Sequence, residues 1–190
     1  MGEARRPVLL WVLGGLALLS LLGIAVSGAV ITGYRPGGTS APGPLVGRPV
    51  PDLTLPVVAG DGAGDRVALR DLRGEVVLLD FWAGWCRPCR RSIPVLNRVH
   101  ARLGDRVRMF GINVESGEPA ANVRRSHRSF GARFPSLQDE RLAAQTAFAV
   151  EGIPTLVLVD REGTIRWTGR GVPREGEVVA RAEELLDDDR

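Results

Sequence analysis

The chain has 190 residues, a formal net charge of +3, two cysteines and two histidines, and it contains no lysine, so its basic side is all arginine. That length leaves room for one domain with a proper core once a targeting segment is set aside. Two cysteines are too few for a disulfide scaffold or a four-ligand structural zinc site, and no basic stripe with interleaved aromatics marks a nucleic-acid surface.

Arg5 and Arg6 precede an uncharged run over residues 7–34. Its centre, residues 8–31, exceeds the roughly 20 residues that a helix needs to cross a bilayer. A cleavable signal peptide is the rival reading, because Ser27-Gly28-Ala29 looks like a small-residue cleavage site. The apolar region of a signal peptide usually runs only about 7–15 residues, however. Residues 1–32 are therefore expected to be a retained single-pass membrane anchor. Two arginines before it against Arg35 alone after it place the N-terminus in the cytoplasm and the remainder outside. Residues 33–45 carry Pro36, Gly37, Gly38, Pro42, Gly43 and Pro44 and are expected to be a flexible linker reaching roughly 20 Å. The folded domain is expected over residues 46–190.

Within that domain, Asp52 to Pro56 alternates like a short strand, with residues 66–69 as its hairpin partner across a glycine-rich loop. Residues 76–82 are β-branched and aliphatic around a single Asp80 and read as a buried strand. Apolar Ile93, Leu96, Val99 and Leu103 then fall at helical spacing. Residues 107–114 read as a second buried strand, and 119–130 as an arginine-rich amphipathic surface helix. Residues 134–137 form a short extended piece, and 140–148 are helical by composition. Strands over 155–159 and 164–168 flank the turn Asp160-Arg161-Glu162-Gly163, and a helix over 175–186 closes the domain, followed by a solvated acidic tail. His100 is expected to be a partly exposed surface histidine, and His100 and His127 are not paired at any metal-ligand spacing.

The chemistry concentrates in Trp85-Cys86-Arg87-Pro88-Cys89, which holds both cysteines. A strand feeding a helix there puts Cys86 at the helix N-terminus, where unpaired N–H groups and the dipole favour a thiolate. Arg87 adds positive charge beside it. Cys89 lies one turn later on the same face, close enough to form a small disulfide with Cys86, so the pair can act as a reversible two-electron couple.

These residues resemble a known family. Asp80-Phe81-Trp82-Ala83 through Cys89 is similar to the active-site segment of thioredoxin-fold oxidoreductases. Gly152-Ile153-Pro154-Thr155 resembles their cis-proline loop, and Pro94 stands where they carry a helix-kinking proline. The segments Val50-Pro51-Asp52-Leu53 and Val67 to Gly74 resemble the extension shared by extracytoplasmic TlpA/ResA-like proteins and peroxiredoxins. The resemblance implies an α/β thioredoxin fold with an N-terminal β-hairpin extension. It makes Cys86 the attacking nucleophile, Cys89 the resolving thiol, and Asp80 the buried proton acceptor and donor behind them. A desolvated carboxylate there would have a raised pKa. Trp85, Arg87, Pro88, Ile153 and Pro154 form the substrate-facing set, with Pro154 cis and the Ile153 backbone turned toward the cysteines. Trp82 belongs to the core.

One position departs from the pattern. Many TlpA/ResA-like proteins carry a glutamate three residues past the second cysteine, and here that residue is Ser92. The acid/base role then falls to Asp80 or to water. The implied activity is a membrane-tethered, extracytoplasmic thiol–disulfide oxidoreductase that reduces exported proteins such as apocytochrome c. Its electrons would come from a membrane thiol-transfer partner. It is expected to work as a monomer, with no cofactor beyond the Cys86–Cys89 couple, no metal and no nucleic acid. Two alternatives are weaker. A peroxiredoxin-like peroxidase needs a Pro-x-x-x-Thr-x-x-Cys setting that Cys86 lacks, and a Cu(I) carrier of this fold usually spaces its cysteines by three and adds a distal histidine.

Overall fold

A computed structural model describes residues 45–187. The expected anchor over 1–32 and nearly all of the linker lie outside the described residues, as does the end of the acidic tail. Among the described residues, no helix is long and apolar enough to cross a membrane. Leu45, the first described residue, is buried in the core.

The architecture is a mixed seven-stranded sheet with helices on its faces. In chain order it runs β1 (Thr54–Ala59), β2 (Arg66–Ala68), β3 (Val76–Trp82), α1 (Arg87–Leu103), β4 (Val107–Asn113), α2 (Ala120–Phe130), β5 (Ser136–Gln138), α3 (Ala143–Ala147), β6 (Thr155–Val159), β7 (Ile165–Arg170) and α4 (Glu175–Asp187). The strand order across the sheet is β2-β1-β5-β4-β3-β6-β7. β3 pairs in parallel with β4 and antiparallel with β6, so it sits near the middle with both faces covered. The β1–β2 hairpin forms as expected, with Leu55 opposite Val67. It joins the sheet through β5, which pairs antiparallel with β1 and parallel with β4. The short extended piece expected near 134–137 is thus the seam between extension and sheet, which its length could not reveal.

Side chains alternate along β3, and that alternation divides the core. Val77, Leu79 and Phe81 pack with Leu55, Leu137, Phe148 and Val157 on one face. Val76 and Leu78 pack with Ile93, Leu96 and Val99 of α1 and with Val178 and Val179 of α4 on the other. Each fully buried aliphatic side chain is worth about 1.5–3 kcal/mol relative to exposure. Asp80 shares the parity of Leu78 and Trp82, so it belongs to the α1 side of the strand.

The helix expected over 140–148 is shorter than its composition suggested. Leu142 and Ala149 take left-handed φ values of 57° and 45°, and only Ala143–Ala147 is regular helix between them. The Asp139 carboxylate accepts from Gln145 N at 2.7 Å and caps this short turn, a local bond that competes with a longer helix.

Gly111 of β4 lies alongside Asp80 and Ser136 in the sheet. A Cβ built there would meet Trp82 Nε1 at 2.8 Å and Ser136 Oγ at 2.9 Å, the two partners of a hydrogen bond crossing the strand. Gly111→Ala is therefore expected to break that bond and overpack the sheet, costing about 1–3 kcal/mol. Urea unfolding followed by tryptophan fluorescence measures it; an unchanged midpoint would mean that Trp82 moves aside freely.

Candidate active site

The site forms where β3 ends and α1 begins. Cys86 is the N-cap of α1, with extended φ and ψ, and Pro88 occupies the first turn, where a missing N–H costs nothing. Cys89 N donates to Cys86 Sγ at 3.1 Å, so the sulfur takes the place of the oxygen that usually caps a helix. No acidic residue stands in the first turn to compete with it. Cys86 and Cys89 are joined by a disulfide, their Cα atoms 5.2 Å apart.

The couple is covered except at one edge. Cys86 is 3% exposed and Cys89 is fully buried, whereas Trp85 stands out at 71%. The Ile153–Pro154 bond is cis, as expected, and Ile153 O lies 3.8 Å from Cys86 Sγ. Pro154 O accepts from Gly171 N at 2.8 Å, which brings the loop carrying exposed Val172 beside the proline. Arg87 is exposed and Pro88 half-buried, so of the substrate-facing set only Pro154 is buried. Trp82 is in the core, its indole N donating to Ser136 Oγ at 2.8 Å.

Asp80 is fully buried, and neither carboxylate oxygen has a hydrogen-bond partner. Desolvation pushes its pKa up from the ordinary carboxylate range to about 7. The other buried aspartates differ in kind: Asp139 caps α3, and Asp160 binds Thr164 N and Arg166. Ser92, which stands where many TlpA/ResA-like proteins carry glutamate, is also buried, and its hydroxyl donates to Cys89 O at 2.9 Å. His100 is partly exposed, as expected, its ring edge-on to Phe134 and its Nδ1 buried. Among the described residues, no three His, Cys, Asp or Glu side chains converge as a metal site.

Sequence reading missed the residues that hold the loop between β3 and Cys86. Glu115 Oε2 accepts from Gly84 N and from Asn113 Nδ2, each at 2.7 Å. Ser126 of α2 packs so closely on Gly84 that a Cβ there would lie 2.5 Å from its Oγ. The strand register carried a signal for Glu115. Trp82 pairs with Asn113 in the parallel β3–β4 ladder, so positions two residues further on, Gly84 and Glu115, leave the sheet side by side. Nothing local pointed to Ser126, or to His127, which lies against Trp82 and within 2.9 Å of Phe134 O.

The family model described as AhpC/TSA family matches residues 46–168, well over half of the chain. The chain belongs to the AhpC/TSA family. Within that family it is similar to the thiol-disulfide oxidoreductase ResA of Geobacillus thermodenitrificans, with 35% identity over 124 residues, 64% of this chain and 67% of the relative. The ResA of Geobacillus kaustophilus matches at 29% over 172 residues, 89% of this chain and 92% of the relative. Among solved structures, a Chlorobium tepidum protein assigned as the thiol:disulfide interchange protein DsbE superposes with a TM-score of 0.65. It shares 28% identity and covers 74% of this chain and 97% of its own. These relatives are named for thiol–disulfide exchange rather than peroxide reduction or copper carriage. The chain is thus a thioredoxin-fold thiol–disulfide oxidoreductase of the ResA/DsbE type, its couple formed by Cys86 and Cys89.

Two outcomes follow from this geometry. Glu115→Ala frees the Gly84 amide, whose hydrogen exchange should quicken at least tenfold, at a cost of about 1–2 kcal/mol in stability; Glu115→Gln keeps an acceptor and should lose less. An unchanged Gly84 exchange rate would show that the loop is held without Glu115. The second concerns pH. The folded-state pKa of Asp80, about 7, lies above its unfolded value, so the unfolded chain releases this proton first. The stabilising contribution is present in full below about pH 4 and is lost as pH rises from about 4 to about 7. Asp80→Asn should therefore be more stable than the native chain by about 2–4 kcal/mol at pH 8 and nearly equal to it at pH 4. Urea unfolding at the two pH values checks this, and parallel curves would mean that Asp80 is solvated.

Proposed function

We propose that this protein reduces disulfides of exported polypeptides from the outer face of the cell membrane, held there by an anchor over residues 1–32. The observation that carries the exchange chemistry is the sulfur cap: Cys86 Sγ accepts Cys89 N at the head of α1, beside Ile153 O and the exposed Trp85. In the reduced enzyme the same N–H groups favour Cys86 as the thiolate.

The Cys86 thiolate attacks one sulfur of a substrate disulfide, breaking that S–S bond and expelling the other substrate sulfur as a thiolate. A mixed disulfide joins Cys86 to the substrate. Cys89 then loses its proton and attacks Cys86 Sγ, which releases the second substrate thiol and leaves the Cys86–Cys89 disulfide. Two electrons pass from enzyme to substrate. Asp80 takes the Cys89 proton in this scheme, because its carboxyl titrates near neutrality on the α1 side of β3. Trp85, Arg87, Pro88 and the backbone of Ile153 and Pro154 receive an extended stretch of substrate at the exposed edge. A membrane thiol-transfer protein returns the dithiol form, and apocytochrome c is a fitting substrate because its cysteines must be reduced outside the cytoplasm. The uncharged run over 7–34 after Arg5 and Arg6 supports the anchor and its orientation.

The reduction potential of the couple tests the direction. A value near about −270 mV marks a reductant, whereas one near about −120 mV marks a disulfide donor and reverses the proposal. Asp80→Asn should slow dithiol exchange at pH 7 by tenfold or more, measured by stopped-flow oxidation of the reduced enzyme. An unchanged rate removes Asp80 from the mechanism.

A further inference from the structure

Helices α1 and α2 lie side by side, tied by Asn97 Nδ2 donating to Gly131 O at 2.8 Å and Arg133 N donating to Asn97 Oδ1 at 3.0 Å. The sequence of α1 contains five arginines and that of α2 contains three, and neither contains an aspartate or a glutamate. Arg98 pairs with Glu175 of α4. Arg87, Arg90, Arg91, Arg124, Arg125 and Arg128 are exposed, and among the described residues none of them holds a carboxylate. Other faces of the domain mix the two signs, as in Arg70–Asp52, Arg108–Glu75, Arg170–Glu151 and Arg181–Glu184. An arginine-rich composition raises the count everywhere; it does not strip the acids from two adjacent helices.

This surface starts at the reacting sulfur. Arg87 follows Cys86 directly, and Arg90 lies two turns before Asn97, on the edge of α1 that meets α2. Ser126, packed on Gly84, is flanked in α2 by Arg124, Arg125 and Arg128. The acids nearest in sequence to α2 are Glu115 and Glu118 in the loop before it, and the Glu115 carboxylate is already engaged by Gly84 N and Asn113. Cys86 is nearly covered and is approached beside Trp85, so any disulfide that reaches it brings its own chain across the head of α1.

We propose that the α1–α2 face docks an acidic segment of the polypeptide whose disulfide exchanges with Cys86. This rests on the exchange reading above and adds to it the charge of the substrate. Uncompensated arginines raise the encounter rate of an acidic chain, and they penalise a basic one crossing the same ground.

The test uses the full chain in detergent, reduced and then mixed with two synthetic peptides of one sequence, each closed by a disulfide flanked by glutamates or by lysines. The uncharged bis(2-hydroxyethyl) disulfide serves as reference, and every rate is expressed relative to it. At low ionic strength the glutamate peptide should react at least about tenfold faster than the lysine peptide, and the preference should fade as salt is added. The triple variant Arg124→Glu, Arg125→Glu, Arg128→Glu should invert the preference; the corresponding triple Gln variant, the less disruptive change, should abolish it. Equal rates for the two peptides, with the reference disulfide still consumed, overturn the docking proposal and leave the exchange reading standing. No reaction with any disulfide overturns the exchange reading itself. Sedimentation with phosphatidylglycerol vesicles that depends on the three arginines, without a peptide preference, overturns the polypeptide as occupant in favour of a lipid surface.

Discussion

The site depends on a single hydrogen bond, from the backbone N–H of Cys89 to the sulfur of Cys86. A helix leaves its first N–H groups without partners, and most helices spend a serine, threonine, asparagine or aspartate side chain on them. Here a sulfur fills that place, so the group that satisfies the helix is also the group that reacts. The cap works because its surroundings are rigid. β3 is buried along its whole length, Trp82 is pinned by Ser136, and the Gly84 amide is held by Glu115 before the chain turns into α1. Gly84 and Gly111 serve the same end, since a side chain at either would collide with Ser126 or with Trp82.

Behind the sulfur the electrostatics run the other way. The helix terminus makes an anion cheaper at Cys86, while burial without a partner makes one dearer at Asp80. The helix terminus thus favours charge on the attacking sulfur, while the buried carboxyl keeps its proton into the neutral range. Asp139 and Asp160 show that the fold can satisfy a buried carboxylate when it needs one for structure. Asp80 is left unsatisfied in the middle of the sheet, where it weakens the fold at neutral pH, and an unpaired buried charge of this kind marks a functional position more often than a structural one.

Much of this was legible in the chain. The apolar run of β3 and the helical period after Cys86 rest on local pattern and the cis Pro154 on the family resemblance, and all three match the structure. Asp80 stood out because a lone acid in an apolar strand has few dull explanations. What stayed hidden was set by long-range pairing. β5 is three residues of ordinary sequence whose place between β1 and β4 is decided by the partners on either side. Ser126 and Ser136 matter through their contacts with Gly84 and Trp82, far away in the chain, which no window along the sequence covers. The helix over 140–148 failed for a physical reason as well: composition favours it, but the Asp139 cap and a left-handed Leu142 stop it.

Ser92 ties the two sides of the site together. Its hydroxyl is spent on Cys89 O, so it neither takes a proton nor places a second charge under the disulfide. Burial raises the Asp80 pKa, with no neighbouring acid contributing. In the proposed exchange the proton side then rests on this one interior group. The charges that meet the substrate all lie outside, on arginines that follow the first cysteine along α1 and continue across α2. In the proposed scheme the disulfide lies between the two: Asp80 in the interior takes the proton of the resolving thiol, and the arginines outside select the chain that arrives to meet it.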